Sequence, residues 1–216
     1  MFDSAKTRFL LLGLAVIGLG VVLGTALWLK LAPHTRLPYE QTDSSQDVKQ
    51  YGLVPEFTLT ERDGSVVGLQ QLRGKIWVAD FIYTTCTDTC PLQSAMMAKL
   101  QHQYAPNPDF QLVSFTVDPE RDTPQALTSY ATKFQADSKR WYFLTGSKER
   151  IVRLVQEGFH LAVTTFSNDA DPAGVIGHSP RFVLVDKEAR IRGYYDSREV
   201  EALVRLKNDI DSLVKG

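Results

Sequence analysis

Cysteine is scarce in this chain: its 216 residues include two, Cys86 and Cys90, with three residues between them. A disulfide scaffold is therefore excluded, and a domain of this size needs none, because it can bury a full apolar core. Basic residues do not outnumber acidic ones, at 24 against 25, and they form no cluster. That removes the electrostatic footprint of a nucleic-acid-binding protein. The chain has no internal repeat and no long low-complexity tract, so repeat arrays drop out. Its first residues lack the Arg- and Ser-rich composition of a mitochondrial transit peptide, and Trp28-Leu29-Lys30-Leu31-Ala32-Pro33 offers no small-x-small cleavage site.

What the N-terminal part does contain is a long apolar run. Phe9 to Leu29 carries no charge. At about 1.5 Å of helical rise per residue it spans roughly 30 Å, the thickness of a hydrocarbon core. The expected organisation is a short tail (1–8), one uncleaved transmembrane anchor (9–31), a polar tether (32–50) and one globular domain (51–216). Lys6 and Arg8 on one side of the anchor balance Lys30 and Arg36 on the other, so charge leaves the orientation open.

Within the domain, Phe57–Leu69 reads as a β-hairpin turning at Asp63-Gly64. Lys75–Tyr83 is a near-continuous apolar run of β-favouring residues, the pattern of a central strand covered on both faces. A helix from Pro91 to Gln103 follows, with Pro91 at its first position. Gln111–Val117 is the next buried strand, and Asp122-Thr123-Pro124 starts a helix that runs to about Phe134. Strands at Trp141–Leu144, Leu161–Phe166 and Arg181–Val185, a helix from Ser147 to Glu157, a hairpin closed by Arg190–Tyr195 and an amphipathic helix over Ser197–Val214 complete an α/β layer fold. The last helix presents Val200, Leu203, Val204, Leu206, Ile210, Leu213 and Val214 as its apolar residues.

In such a fold, reactive groups gather at the carboxyl ends of the strands. Cys86 and Cys90 fall there, in the loop that leaves the central strand. A helix start stabilises thiolate, the form that attacks disulfides and binds soft metal ions. Three intervening residues leave room for one soft cation between two sulfurs and also permit disulfide closure. Spacing alone does not choose between redox chemistry and metal binding. A third donor would decide, and among the four histidines His178 is the candidate, because it ends the polar segment Ser167–Gly177 and leads into the strand at Arg181. Two thiolates and an imidazole suit copper, whereas zinc ordinarily takes a fourth protein ligand or a catalytic water. Asp80, inside the central strand, is a buried acid with a raised pKa, either a proton acceptor near the thiols or a carboxylate held for structure. The loop from Asp118 to Asp122, at the end of the next strand, brings three acids and Arg121 near the cysteines and reads first as capping and ion pairing, with Asp122 or Thr123 capping the following helix and Asp118 alternatively a partner for His178 or a weak ligand. Met96 and Met97 read as core filler, and Tyr83 lines the site.

These residues resemble the Sco/SenC copper-binding proteins of respiratory-oxidase assembly, which have a thioredoxin-like fold. The resemblance covers most of residues 50–216. It rests on Ala79–Cys86 with Cys90-Pro91, on Phe115–Pro124, and on His178 preceding a strand that ends Leu184-Val185-Asp186. Thr87 departs from the pattern, since many members carry proline there, and so does Pro180. The resemblance implies a metallochaperone that binds copper, Cu(I) or Cu(II), through Cys86, Cys90 and His178. It also implies a redox-active Cys86–Cys90 pair that closes to a disulfide, a copper donor, a thiol reductant, and the copper-bearing subunit of cytochrome c oxidase as recipient. The expected home is a bacterial inner membrane, with one N-terminal span and the domain in the periplasm or an equivalent oxidising space. The rival reading is a thiol-disulfide oxidoreductase that keeps a partner's cysteines reduced. Pro180 is expected to occupy the cis-proline position of thioredoxin-like folds.

Overall fold

The computed structural model of the chain describes residues 51–162, 164–168, 171–177 and 180–216. The expected anchor and tether, His178 and the Ser179–Pro180 bond lie outside the described residues. Among the described residues no helix is long and apolar enough to cross a membrane.

The domain opens on the expected hairpin, β1 (Thr58–Glu61) against β2 (Val66–Gly68), in antiparallel register with Leu59 opposite Val67. Gly64 turns the chain with φ +87°, a conformation that residues with a Cβ rarely adopt, and the Ser65 N–H donates to Asp63 Oδ1. One short helical turn, α1 (Leu69–Leu72), leads to the central strand β3 (Ile76–Ile82). Every residue of β3 is buried. Side chains alternate across a strand, so Trp77, Ala79 and Phe81 enter one core while Ile76, Val78 and Ile82 enter the other.

Helix α2 (Thr89–Gln103) returns the chain to β4 (Phe110–Thr116), which pairs parallel with β3. Helix α3 (Pro124–Lys133) then leads to β5 (Trp141–Thr145), parallel to β4. Helix α4 (Lys148–Arg153) continues into a single π-turn over Leu154–Gly158. The hairpin of β8 (Arg181–Val185) and β9 (Ile191–Asp196) adds to the other side of β3, and α5 (Val200–Lys215) ends the domain. The sheet order is β2-β1-β5-β4-β3-β8-β9. Residues from α2, α3 and α5 fill the core on the Val78 face, and α1, α4 and the π-turn fill the one on the Trp77 face. This is the expected α/β layer architecture.

Four details differ from the sequence reading. Helix α2 begins two residues before Pro91, which falls in its first turn, where a missing N–H is tolerated because those groups have no intrahelical acceptor. The strand expected at Leu161–Phe166 is β6 (Thr164–Asn168), and it does not join the main sheet. It pairs with β7 (Asp171–Gly177), a strand inside the segment read as a polar loop. Asp, Pro and Gly are poor strand formers in isolation, and pairing with a neighbour overrides that preference. On α5, Val200 and Val204 are exposed, whereas Ala202, Leu206 and Ile210 are buried. The apolar stripe is therefore narrower than composition implied. Replacing Val204 with glutamate should move the urea midpoint of unfolding by no more than ~0.5 kcal/mol equivalent, while Leu206→Ala should cost about 2–5 kcal/mol. Equal losses for the two variants would show that this face is covered in solution.

Candidate functional site

The site forms where β3 ends. Its last hydrogen bond to the neighbouring strand runs from the Val117 N–H to the Ile82 carbonyl, and a turn then follows in which the Cys86 N–H donates to the Tyr83 carbonyl. Helix α2 starts three residues after Cys86, and the Asp88 side chain at its N-cap position accepts no capping hydrogen bond. The Cys86 sulfur takes that role. It accepts the Cys90 N–H at 3.4 Å, and the Asp88 N–H and the Tyr83 hydroxyl also point to it.

No disulfide joins the two cysteines, and both are buried, Cys90 completely and Cys86 at 8 % exposure. Their acidities diverge. Burial opposes ionisation of Cys86, but donors from the Cys90 thiol, the Cys90 and Asp88 amides and the Tyr83 hydroxyl together hold its pKa below the ordinary thiol value. Burial pushes the Cys90 thiol up, and the neighbouring Cys86 adds to the rise. Tyr83 is pushed up to about 12, by burial first and by the adjacent sulfurs second. The pair thus offers one sulfur poised to ionise and one that holds its proton.

Asp80 lies on the Val78 face of β3, opposite Ser114 of β4 and wholly buried. Neither of its oxygens makes a hydrogen bond of good geometry. Burial raises its pKa to about 7, and the nearby Ser114 hydroxyl offsets this only in part. Its charge is felt at Cys90.

Asp118 is buried, but its carboxylate is engaged by Arg121 at 2.8 Å. Met97 is fully buried and Met96 packs at the edge of the same core, so both are filler. Of the two expected capping residues, Thr123 caps α3, its hydroxyl accepting the Ala126 N–H, and Asp122 does not. Asp122 instead reaches the cysteine loop, where it accepts the Thr84 N–H and hydroxyl, and it also accepts the Thr116 hydroxyl. Sequence reasoning missed this link. The signal was present as a buried-strand threonine and a threonine two residues before Cys86, each able to serve a nearby carboxylate.

His178 and Ser179 lie outside the described residues, whereas Gly177 and Pro180 lie within them. β7 ends at Gly177 and β8 begins at Arg181. β8 runs antiparallel to β3, with Ala79 opposite Val183, so the first residue of β8 lies at the carboxyl end of β3, the end from which the cysteine loop departs. No three His, Cys, Asp or Glu side chains among the described residues are arranged to hold a metal ion. A cavity of about 620 Å³ lies elsewhere, between the β1–β2 hairpin and α4, lined by Phe57, Val66, Arg150 and Leu154 among others, and it includes neither cysteine.

Known proteins resemble this chain over most of its length. A family model described as SCO1/SenC matches residues 45–215. The SCO1 protein homolog of Bacillus subtilis is 32% identical over 169 residues, covering 77% of this chain and 85% of the relative. Among solved structures, BsSco, described as a member of the Sco family of cytochrome c oxidase assembly proteins with a disulfide switch, superposes with a TM-score of 0.64 at 32% identity. The match covers 79% of this chain and 95% of that one. The copper-bound structure of ScoI from Arabidopsis thaliana gives a TM-score of 0.60 at 28% identity, over 76% of this chain and 96% of that one.

The buried acid has a measurable signature. An acid whose pKa is about 7 when folded and ordinary when unfolded supplies stability that is complete below pH ~4 and lost as pH rises through ~7. Asp80→Asn removes that loss. Between pH 5 and pH 8 the variant's unfolding free energy should fall less than that of the unmodified protein, by about 2–3 kcal/mol. Parallel pH profiles in chemical denaturation would show that Asp80 is not the group responsible.

Proposed function

Because this chain belongs to the SCO1/SenC family, we propose that it is a copper chaperone of cytochrome c oxidase assembly that binds one copper ion through Cys86, Cys90 and His178. The observation that carries this reading is the pair of sulfurs at the start of α2, not joined in a disulfide and one of them held toward thiolate by the donors around it. Two soft donors at one edge favour copper, and a copper-bound relative of the same fold supports that choice. The antiparallel return of β8 supports His178 as third ligand, because it brings the flank of that residue to the edge where the cysteines lie. Asp118 and Asp80 act around the ligands, Asp118 as a charge beside the cysteine loop and Asp80 as a proton acceptor beneath Cys90.

Delivery proceeds by ligand exchange. Thiolates of the recipient replace Cys86, Cys90 and His178 one at a time, and no step leaves the ion without donors. The recipient is the copper-bearing subunit of cytochrome c oxidase, and a copper donor loads the site. The anchor at residues 9–31 holds the domain on the extracytoplasmic face of a bacterial inner membrane, at the end of the 32–50 tether.

The divergence of the two thiol acidities favours a second activity at the same pair. Cys86 thiolate attacks a partner's disulfide, one partner sulfur leaves as thiolate, and Cys90 then attacks the mixed disulfide. The partner leaves with two thiols and the Cys86–Cys90 disulfide remains, to be reopened by a thiol reductant that supplies two electrons and two protons.

One titration separates the readings. Cu(II) added to the reduced protein should give a thiolate-to-copper charge-transfer band that saturates at one ion. His178→Ala should weaken affinity at least tenfold and bleach or shift the band, while metal-free disulfide reductase activity persists. An unchanged band and affinity in that variant would remove His178 from the ligand set. Absence of any band in the unmodified protein would leave the oxidoreductase reading alone.

A further inference from the structure

Three pieces of chain meet at the Asp122 carboxylate, which is completely buried. Its Oδ1 accepts the Thr84 hydroxyl at 2.5 Å, and its Oδ2 accepts the Thr116 hydroxyl at 2.5 Å and the Thr84 N–H at 3.1 Å. Thr116 is the last residue of β4, and its oxygen in turn accepts the Asp118 N–H at 3.0 Å. The backbone closes the circuit, since the Asp122 N–H donates to the Asp118 carbonyl at 2.9 Å. Asp118 and its Arg121 partner are thereby fixed relative to Thr84, two residues before Cys86.

The chemistry of this arrangement is costly unless it is used. Burying a carboxylate is unfavourable, and burial raises the Asp122 pKa even though the threonine donors oppose that rise. Helix α3 does not need Asp122, because Thr123 already supplies its cap. The bonds go instead to the cysteine loop, through the N–H and hydroxyl of Thr84.

We infer that Asp122 is a positioning residue, a latch that joins the cysteine loop to the Asp118–Asp122 loop through Thr84 and Thr116 and so sets the geometry of the two sulfurs. The inference rests on the cysteine pair being the working site, as proposed above, but not on the metal being copper. Pre-organised sulfurs need no rearrangement to bind an ion or to close a disulfide, so loosening the latch changes both equilibria.

The experiment compares the detergent-solubilised full chain with Asp122→Ala, Asp122→Asn, Thr84→Val and the helix-cap control Thr123→Ala. Two readouts are taken on each, the dithiol–disulfide equilibrium against glutathione and the Cu(II) charge-transfer band, with thermal stability measured alongside. Asp122→Ala and Thr84→Val should each shift the redox equilibrium constant at least tenfold and move the band. Asp122→Asn, which keeps one acceptor oxygen, should fall between. Thr123→Ala should lower stability without moving either readout. The inference is overturned if Thr84→Val matches the unmodified protein in both readouts, or if Thr123→Ala shifts them as far as the latch variants do. Should Asp122→Ala fail to fold, Thr84→Val carries the decision alone. A redox shift in proteins that show no copper band even unmodified would sink the copper proposal while leaving the latch standing.

Discussion

Helix α2 starts with N–H groups that have no intrahelical acceptor and that the side chain of its N-cap residue Asp88 does not cap, and the sulfur of Cys86 receives one of them. Much of the site follows from this one contact. The cysteine must sit in the turn that leaves β3, because only there does its sulfur lie beneath the first turn of the helix. Cys90, one step into that turn, is then buried, and burial with the neighbouring Cys86 raises its pKa. Two chemically identical residues become unlike by position, and a pair with one ready nucleophile and one reserve thiol suits stepwise exchange, whether the species exchanged is a metal ion or a disulfide partner.

The sheet supplies the rigidity that this arrangement requires. β3 is buried on both faces, wedged between β4 and β8, and a ring cluster of Trp77, Phe81, Phe115 and Phe159 packs one side of it. A strand so enclosed cannot shift without opening both cores. Against this stability stand two buried carboxylates with different fates. Asp122 is well supplied with donors, while Asp80 lacks good hydrogen bonds and raises the cost of folding at neutral pH. Polar groups left unsatisfied beneath a reactive pair are where a protein sacrifices stability for function.

Much of the architecture was legible in the sequence because its signals were local. The apolar run of β3, the Asp63-Gly64 turn and the Thr123-Pro124 helix start each declare themselves within a few residues, and each forms where expected. The β6–β7 ribbon was not legible, since Asp171, Pro172 and the two glycines of Asp171–Gly177 weaken its strand propensity and the segment becomes a strand by pairing. Nor was the outward placement of Val200 and Val204, which depends on how α5 is rolled against β9 and not on its composition.

The same division holds at the site. By itself, the sequence determined that two thiols would stand at the carboxyl edge of an α/β sheet with a carboxylate behind them in the strand, because the order of strand, loop and helix follows from near-neighbour patterns. Only the tertiary structure decided which thiol ionises more readily, that Asp122 serves the cysteine loop instead of its own helix, and that β8 returns to the edge where the cysteines lie. Those outcomes depend on burial and on hydrogen bonds between residues tens of positions apart, and the energy of such contacts exists only once the chain has folded.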